Sequence, residues 1–323
     1  MKALGNSKVL ITGGTGTLGN ALIEELRRLG ACLAVYSRDE KKQSDLEQLY
    51  PDVFMYLGDV RDRGRFGDVC RNFRPDWIIH AAALKQVCAC EDSPGECLHT
   101  NVIGTRNVAG NAAQVGAELL FVSTDKAVYP INTYGMSKAL AEKIVTDAGG
   151  RVIRYGNVLN SRGSVIEKWI GRIMGGHEDV FAVDDHIRYW LLKEQAVAAI
   201  CEAMTCQDDV RLFVPSMRAL GIKALAVCFA KAMKNVANKD VRITPAVPLC
   251  GEKRIEYILT NEEQEESEYK PYRVLNSSAI IKAQHGEPEN DSNNCFIAPK
   301  WYHSEMEKIL GNIIEKEMMH RSK

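Results

Sequence analysis

The stretch of the chain that decides its fold is Val9-Leu10-Ile11-Thr12-Gly13-Gly14-Thr15-Gly16-Thr17-Leu18-Gly19. Its apolar start predicts a short buried strand, and the apolar repeat from Leu18 to Leu29 predicts a helix directly after it. The three-residue spacing of Gly13, Gly16 and Gly19 fits a tight turn whose backbone approaches a pyrophosphate at the helix N-terminus. The stretch therefore predicts dinucleotide binding. The expected contacts are Gly13, Thr15, Gly16, Thr17 and Leu18.

The following residues repeat this alternation of strands and helices. Further strands are predicted at 32–36, 53–57, 77–80, 119–123 and 152–154, and further helices at 40–49, 97–115 and 134–148. Continuous apolar strands separated by helices indicate a parallel sheet covered on both faces. The predicted fold class is therefore α/β, with a doubly wound (Rossmann) parallel sheet. Later helices predicted at 165–174, 192–204 and 222–233, with a strand at 212–214, indicate a smaller C-terminal α/β lobe.

The composition argues against several classes of protein. The 41 Lys+Arg residues nearly balance the 42 Asp+Glu residues, which does not favour general binding to nucleic acid or to an anionic membrane. No run approaches the ~20 apolar residues of a membrane span, and no signal-peptide core is expected. The ten cysteines lack zinc-ligand spacing, so we expect no metal and no disulfide, and free thiols fit the cytoplasm. An acidic run at 262–266 is expected to be a solvated surface.

The choice of cofactor depends on the end of the second predicted strand, which reads Tyr36-Ser37-Arg38-Asp39. An acidic side chain there bonds a ribose hydroxyl, whereas Ser37, Arg38 and the nearby Lys41 fit a 2′-phosphate. We therefore expect NADP, and the alternative is NAD with Asp39 on the ribose. Further cofactor contacts are expected after the third and fourth strands, from Asp59, Val60, Ala81 and Ala82.

A second group of residues lies at the end of the predicted strand 119–123 and on the helix that follows. Ser123-Thr124-Asp125-Lys126 ends the strand, and Tyr134 and Lys138 share one helical face because they are four residues apart. An ammonium beside a phenol lowers the phenol pKa, so Tyr134 is expected to act as a base near neutrality. The alternative is a surface Tyr-Lys pair, but the glycine-rich turn upstream favours catalysis.

These residues lie in longer runs that resemble a known family. The runs are HAAALK at 80–85, TNVIGT at 100–105, STDKAVYP at 123–130, NTYGMSK at 132–138, RYGNV at 154–158 and SRGSV at 161–165. The chain resembles the extended short-chain dehydrogenase/reductases that modify nucleotide sugars. More narrowly, it resembles the inverting UDP-N-acetylglucosamine 4,6-dehydratases of the polysaccharide biosynthesis family. The resemblance covers about residues 5–280 and is most specific up to Val165.

The resemblance implies an internal redox cycle that converts UDP-N-acetylglucosamine to UDP-2-acetamido-2,6-dideoxy-β-L-arabino-hexos-4-ulose. Tyr134 takes the proton of the sugar 4-hydroxyl while the C4 hydride passes to NADP⁺. Lys126 then removes the C5 proton, Asp125 assists departure of the C6 hydroxyl, and the hydride returns to C6. Retaining relatives carry an Asp-Glu pair here, so the lysine indicates inversion at C5. The implied catalytic residues are Thr124, Asp125, Lys126, Tyr134 and Lys138.

Substrate contacts also follow from the resemblance. They are Lys85, Thr124, Tyr134, Asn157, Arg162, Ser164 and Arg188, and Lys85, Tyr134 and Lys138 are implied cofactor contacts as well. Arg188 is expected to face the diphosphate, which suits a planar guanidinium. The chain departs from the family pattern on this side, with Cys88-Ala89 in place of Pro-Leu and Ser216 in place of a lysine. These departures affect the identity of the substrate more than the reaction.

The expected domains are an NADP-binding Rossmann domain at 1–165 and a mainly substrate-binding lobe at 166–323, of which some segments can return to the first domain. The expected partners are a nucleotide sugar and, by the resemblance, further copies of the chain in a homo-oligomer, without nucleic acid or membrane. Three alternatives for the function stay open. They are a retaining dehydratase, a C4 or C5 epimerase, and a non-catalytic NADP-binding protein.

Overall fold

A computed structural model of the protein describes residues 4–184, 186–207, 209–248, 251–265, 272–275 and 301–321. The chain divides into two compact units. The first unit holds the described residues of 1–155, 192–216 and 258–280, and the second holds those of 156–191, 217–257 and 281–323.

The bounds of the strands and helices are as follows. The described strands are β1 (Lys8–Thr12), β2 (Cys32–Ser37), β3 (Phe54–Leu57), β4 (Trp77–His80), β5 (Glu118–Thr124), β6 (Arg151–Tyr155), β7 (Asn157–Val158), β8 (Asp179–Ala182), β9 (Ile187–Leu191), β10 (Leu212–Pro215), β11 (Arg218–Gly221), β12 (Arg242–Pro245) and β13 (Tyr272–Leu275). The described helices are α1 (Thr17–Arg28), α2 (Glu40–Leu49), α3 (Arg63–Phe73), α4 (Val87–Asp92), α5 (Pro94–Cys97), α6 (Gly104–Val115), α7 (Thr133–Asp147), α8 (Val165–Met174), α9 (Lys193–Thr205), α10 (Ile222–Ala237), α11 (Asn261–Glu265) and α12 (Trp301–Arg321).

The first unit is built on an eight-stranded sheet whose order is β13-β10-β6-β5-β4-β1-β2-β3. Its neighbouring strands are parallel, with Val9 of β1 opposite Leu33 of β2 and Trp77 of β4. This confirms the predicted doubly wound sheet. The strand order reverses between β1 and β4, and open α/β sheets bind ligands outside the carboxyl ends of the strands at such a point.

Helices of the first unit pack against this sheet in two groups, α3 with α6 and α7, and α1 with α9. Helix α3 was not predicted, because charged residues interrupt its apolar pattern. Its buried side chains, Phe66, Val69, Cys70 and Phe73, repeat at helical spacing, and the Asp62 side chain caps its first turn. Burial of a side chain such as Phe66 contributes about 1.5–3 kcal/mol to folding, so the four buried side chains together hold this helix against the sheet.

Two other predictions need correction. The helix predicted over 97–115 is divided, because α5 is followed by a π-helical turn at Leu98–Ile103 before α6 begins. The acidic run 262–266 was expected to be a solvated surface. Glu262 is exposed as expected. Glu263 lies on α11 and pairs with the buried Arg154 of the same unit at 2.8 Å, so this part of the run is held by an ion pair and is not simply solvated.

The second unit contains two small sheets, one of order β11-β9-β7 and one that pairs β12 with β8. Helices α8 and α10 meet through the rings of Trp169 and Phe229, whose centroids are 5.4 Å apart. Helix α12 buries Met306, Leu310 and Ile314, which repeat every four residues along it. Across the described ranges of both units, no helix is long and apolar enough to cross a membrane.

Candidate active site

The glycine-rich turn lies directly after β1, at the point where the strand order reverses. Gly13 has φ +72°, and a Cβ at this position would lie 2.9 Å from the backbone N and Cα of Ala82. Its N–H donates to the carbonyl of Tyr36 at 2.9 Å. Only glycine fits both the torsion and the close approach, so the turn lies against the backbone that follows β4.

Helix α1 begins directly after this turn. Its N-cap is Gly16, which has no side chain to accept from the first-turn N–H groups. Oriented N–H groups at a helix N-terminus attract an anion, so the described residues fit the pyrophosphate of a dinucleotide. Thr15, Thr17 and Leu18 lie on the turn or in the first turn of α1, as the sequence predicted for a cofactor contact.

The ends of β2 and β3 bring a cluster of charged side chains together. Asp59 accepts hydrogen bonds from the Arg61 guanidinium at 2.7 and 3.0 Å and lies 3.5 Å from the Arg38 guanidinium. Burial opposes the charge of Asp59, but the hydrogen bonds from Arg61 outweigh it and hold its pKa below the ordinary value. The hydroxyl of Ser37 accepts from the amide of Gln43 at 3.0 Å. Two arginines therefore meet beside the strand end that the sequence associated with a phosphate.

Three other predicted cofactor residues have local partners. The Asp39 carboxylate caps α2 by accepting from the N–H of Lys42 at 3.0 Å, and it also pairs with the Lys42 ammonium. Lys41 pairs with Asp45 on its own helix. Val60 is buried, and its side chain packs so close to Gly104 that a Cβ added there would lie 2.8 Å from it. Asp39 is thus engaged at a helix N-terminus, and Lys41 is directed along α2.

A buried polar cluster lies at the carboxyl end of β5. The Thr124 hydroxyl donates to the Asp125 carboxylate at 2.9 Å, and the Lys126 ammonium lies 3.1 Å from the same carboxylate oxygen. Thr124 also makes a hydrogen bond with the hydroxyl of Tyr134, which is the second residue of α7. The structure thus brings together four of the five predicted catalytic side chains, of which Asp125 is completely buried.

The charges and contacts around Tyr134 and Lys138 determine how each of them ionises. Burial raises the pKa of Tyr134 to about 12, while the charge of Lys126 and the hydrogen bond with Thr124 act to lower it. The Lys138 ammonium instead donates to the Val122 carbonyl at 2.6 Å and lies 3.8 Å from the centre of the Phe121 ring. Burial lowers the pKa of Lys138 to about 7, against the opposing charge of Glu142. Lys126 is therefore the main charge that favours ionisation of the phenol.

An ion-pair network lies behind this cluster, on β6, α7 and α11. The Arg154 guanidinium donates to Glu142 at 2.6 and 3.1 Å and to Glu263 at 2.8 and 3.1 Å, and it also reaches the Ile258 carbonyl at 3.0 Å. The Ser123 hydroxyl donates to Glu142. The network anchors the segment 258–263 to the strand ends and to the helix that carries Tyr134.

The predicted substrate residues are divided between the two units. Lys85 is exposed in the first unit, after β4. In the second unit, the Asn157 amide donates to the Tyr189 carbonyl at 3.3 Å, Arg162 is exposed, and Ser164 caps α8. Arg188 of β9 is buried and donates to the carbonyls of Ile187 and Arg254.

The sequence reasoning missed Arg61 and the Glu142–Arg154–Glu263 network. The run Gly58-Asp59-Val60-Arg61 contained a signal, since an arginine two residues after an acid at a strand end can pair with it. The network left no signal, because its members are far apart in the chain. Within the described ranges, no group of three or more His, Cys, Asp and Glu side chains could hold a metal ion.

Comparison with known proteins places this geometry in a family. The family model described as polysaccharide biosynthesis protein matches residues 9–277. The chain belongs to this family. A UDP-glucose 4-epimerase of Rickettsia rickettsii is 36% identical over 272 residues, which cover 79% of this chain and 78% of that protein. The family assignment confirms the resemblance found in the sequence.

Solved structures agree with this assignment. Pen from Bacillus thuringiensis is 28% identical, with a TM-score of 0.76 over 82% of this chain and 87% of that one. DesIV, a dTDP-glucose 4,6-dehydratase from Streptomyces venezuelae, has a TM-score of 0.67 at 18% identity, over 82% and 92% of the two chains, and so shares the fold. This member of the family is an enzyme of the nucleotide-sugar epimerase and dehydratase type.

Proposed function

We propose that the chain is an NADP-dependent nucleotide-sugar 4,6-dehydratase that inverts C5, with UDP-N-acetylglucosamine as substrate and UDP-2-acetamido-2,6-dideoxy-β-L-arabino-hexos-4-ulose as product. The observation that carries the proposal is the Asp125–Lys126 pair beside Thr124 and Tyr134. Burying such a pair costs free energy. A C4 epimerase moves the proton of one hydroxyl and has no need of a second acid and base. Elimination across C5 and C6 needs both.

A proton transfer between Asp125 and Lys126 supplies both the base and the acid of the elimination in one step. At 3.1 Å, a proton that shifts from the ammonium to the carboxylate converts the ion pair into a neutral amine and a carboxylic acid. The amine of Lys126 then removes the C5 proton, and the acid of Asp125 protonates the C6 hydroxyl as it leaves. The pair holds the same number of protons before and after the shift, so the shift itself takes no proton from solvent. After the hydride has returned to C6, C5 takes up a proton on the face opposite to Lys126, and in deuterated water an exchanged donor delivers deuterium there.

Tyr134 acts at the C4 hydroxyl in this scheme. Its hydroxyl is held by Thr124, and the charge of Lys126 offsets part of the burial that raises its pKa. When bound, the oxidised dinucleotide would supply the hydride acceptor and a positive charge that favours the phenolate. The residues that would hold the dinucleotide are Gly13, Thr15, Gly16, Thr17, Leu18, Ala81 and Ala82. Lys138 lies one helical turn beyond Tyr134.

The preference for NADP rests on Arg38, which follows Ser37 at the end of β2. The Arg38 guanidinium lies 3.5 Å from Asp59 and its side chain is 53% exposed, whereas Arg61 is already paired with both Asp59 and Glu96. Asp39 is occupied as the cap of α2, which does not favour a ribose contact. Guanidinium groups bind phosphate through charge-assisted hydrogen bonds. Calorimetry with NADP and NAD tests this, and we expect Arg38→Ala to weaken NADP binding while NAD binding stays unchanged. Equal effects on both cofactors would contradict the assignment.

On the substrate side, we propose that Arg188, Arg162, Ser164, Asn157 and Lys85 bind the nucleotide sugar. Arg188 supports this best, because its guanidinium donates to backbone carbonyls and retains its full charge for an anion. A diphosphate matches that charge.

We also propose a homo-oligomer. Met136 and Leu140 lie one turn apart on α7 and are 54% and 49% exposed. Two neighbouring exposed apolar side chains on one helix face form a patch of the kind that a second subunit can cover. Light scattering after size exclusion tests this, and Leu140→Glu is expected to shift the mass towards the monomer.

The test of the reaction is proton NMR of the product formed in deuterated water. A panel of UDP-, GDP-, CDP- and dTDP-sugars identifies the nucleotide, and UDP-N-acetylglucosamine is expected to turn over. A new 6-methyl group with a 4-keto or hydrated carbon, deuterium at C5, and H1–H2 and H2–H3 coupling constants of the ring with inverted C5 would together support the proposal. A 6-methyl product with unchanged C5 configuration would point to a retaining dehydratase.

A C4 epimerase is the second candidate, because the Rickettsia relative bears that name at 36% identity. In the same NMR experiment an epimerase leaves the hydroxymethyl group intact and changes only the configuration at C4. That outcome with UDP-glucose or UDP-N-acetylglucosamine would replace the dehydratase proposal. Binding of NADP without turnover of any sugar in the panel would indicate a non-catalytic protein.

A further inference from the structure

A buried histidine connects the glycine-rich turn to the helices behind the cofactor-facing strand ends. His80 is the last residue of β4, and its ring is completely buried. Its Nδ1 lies 2.7 Å from the Thr12 hydroxyl, at the end of β1, and its Nε2 lies 3.0 Å from the Thr105 hydroxyl, on α6. The ring thus bridges two secondary-structure elements that are distant in sequence.

The neighbours of the ring determine which nitrogen carries the proton. The Thr105 hydroxyl donates its one proton to the Asn101 carbonyl at 2.6 Å, so it can only accept from His80. The Thr12 hydroxyl accepts from the Ala82 N–H at 3.3 Å, and its own proton is therefore available to Nδ1. Both ends require a neutral ring that is protonated at Nε2.

A second connection holds the other end of the same segment. The Asn101 amide accepts from the Leu84 N–H at 2.8 Å and donates to the Leu84 carbonyl at 2.9 Å. It also donates to the Ser137 hydroxyl at 2.9 Å, which in turn donates to the Tyr134 carbonyl at 2.7 Å. The backbone from 81 to 84 is therefore fixed at both ends by buried hydrogen bonds, one of which reaches α7.

We infer that His80 is a positioning residue, whose neutral Nε2–H tautomer ties Thr12 to Thr105 and thereby holds the Ala82 backbone against the glycine turn at Gly13. This role goes beyond the proposed reaction, because it concerns the geometry of the dinucleotide site and does not depend on which reaction the sugar undergoes. The close approach of Ala82 to Gly13 is the feature that this bridge preserves.

The electrostatic surroundings agree with a neutral ring. Burial lowers the pKa of His80 to about 3, and the nearby Lys138 ammonium adds to the effect. The His80 and Phe121 rings lie 5.5 Å apart, and the same Phe121 ring faces Lys138. A second cation on His80 would therefore be buried next to the first.

The direct test is NMR of the full-length protein with ¹⁵N-labelled histidine. The His80 signals are assigned by their loss in His80→Gln, and we expect one protonated nitrogen at Nε2 and one unprotonated nitrogen at Nδ1. The pattern is expected to stay constant from about pH 5 to about pH 8, the range in which an ordinary histidine titrates. An Nδ1–H tautomer, or titration within this range, would overturn the inference.

A matched pair of variants tests the consequence for the cofactor. Thr105→Val removes the acceptor of the Nε2–H group, whereas Thr105→Ser keeps it. We expect Thr105→Val to shift the tautomer away from Nε2–H and to weaken NADP binding in calorimetry by about tenfold, with Thr105→Ser within about twofold of the wild type. Equal affinities for all three proteins would contradict the role. These measurements use no turnover, so they remain decisive even if the proposed reaction fails, and the wild-type tautomer decides if Thr105→Val does not fold.

Discussion

Arg154 in the first unit and Arg188 in the second are buried to nearly the same extent, at 4% and 6% exposure, yet their partners differ in kind. Arg154 is held between the carboxylates of Glu142 and Glu263. Arg188 donates to the carbonyls of Ile187 and Arg254, and among the residues that the structure describes no carboxylate pairs with it. The charge of Arg154 is neutralised by carboxylates of its own unit, whereas the charge of Arg188 is stabilised only by the dipoles of peptide carbonyls.

The difference separates a structural cation from a candidate binding cation. A guanidinium paired with two carboxylates has no net charge left for a ligand, and removing it leaves buried anions uncompensated. A guanidinium on carbonyls keeps its charge, which a diphosphate can complete. The Lys138 ammonium also donates to a carbonyl, that of Val122, but burial lowers its pKa to about 7, so unlike an arginine it gives up its charge near neutrality. Lys126 is the exception, because it pairs with a carboxylate but, unlike an arginine, can give up its proton.

The largest effect is expected for Lys126→Met, which tests that exception. Without the amine, exchange of the sugar C5 proton with solvent should fall by about 10²–10⁴-fold, the usual contribution of a general base. NADP binding should be unchanged. The measurement is deuterium incorporation by NMR. Lys143→Met, at an exposed lysine that pairs with Asp147, is the control. Retained exchange, with a loss of stability instead, would make Lys126 a structural ion-pair residue.

Arg154→Met tests the structural side of the comparison. It leaves Glu142 and Glu263 without their cation, so we expect a loss of about 3–5 kcal/mol in the free energy of unfolding. Urea denaturation at neutral pH measures it. Arg188→Met should reduce the free energy of unfolding clearly less in the same experiment, because it leaves only two carbonyl groups without a donor. Equal losses for the two variants would remove the distinction on which the comparison rests.

Arg188→Met tests the binding side. We expect KM for the nucleotide sugar to rise by about 10- to 100-fold, as the loss of hydrogen bonds to a charged group predicts, with kcat nearly unchanged. Arg242→Met, at an exposed position on β12, is the control and should leave KM unaffected. A fall in kcat at unchanged KM would argue that Arg188 does not bind the ground-state substrate.

The pH dependence of stability tests Lys138. Its pKa is lowered to about 7 by burial, while the unfolded chain keeps the ordinary value of 10.5. Between these two values the unfolded state binds more protons, so the free energy of unfolding of the wild type should rise with pH by up to about 1.4 kcal/mol per unit relative to Lys138→Met. Below about pH 7 the difference between the two proteins should be constant. Urea denaturation of both proteins at several pH values above neutrality checks this, and parallel curves would show a lysine of ordinary pKa.

The smallest effect is expected from a neighbouring pair in the acidic run. Glu263→Gln removes one of the two carboxylates on Arg154 and should cost about 1–2 kcal/mol of stability. Glu262→Gln changes an exposed residue and should alter stability by less than about 0.5 kcal/mol. Thermal or urea denaturation of the two variants checks the difference. If both behave alike, α11 contributes nothing to the network around Arg154.

Local sequence was enough to predict the first part of the fold. The glycine spacing, the apolar strands and the i, i+4 relation of Tyr134 and Lys138 each depend on residues close together in the chain, and strand, turn and helix follow from such patterns. Helix α2 begins and ends where the sequence predicted. The small sheets of the second unit were not predicted, because their pairings join distant segments such as β8 and β12.

The candidate site divides in the same way. That Asp125, Lys126 and Tyr134 lie near one strand end could be predicted, because Asp125 and Lys126 directly follow β5 and Tyr134 opens the next α-helix. The direction of each side chain could not. Lys138 was expected to act on the phenol, and its ammonium donates to the Val122 carbonyl of β5, a contact across 16 residues that the local pattern does not predict.

The amino-acid sequence by itself determined the parallel sheet, the dinucleotide turn and the family, because these depend on short-range periodicity and on residue types at fixed spacing. Only the tertiary structure decided which buried polar side chain meets which partner: Arg154 with two acids, Arg188 and Lys138 with carbonyls, and the neutral His80 with two hydroxyls. The physical reason is that a buried polar group must be satisfied by whatever the folded chain brings within about 3 Å, and all but one of those partners lie between 12 and 109 residues away in the chain.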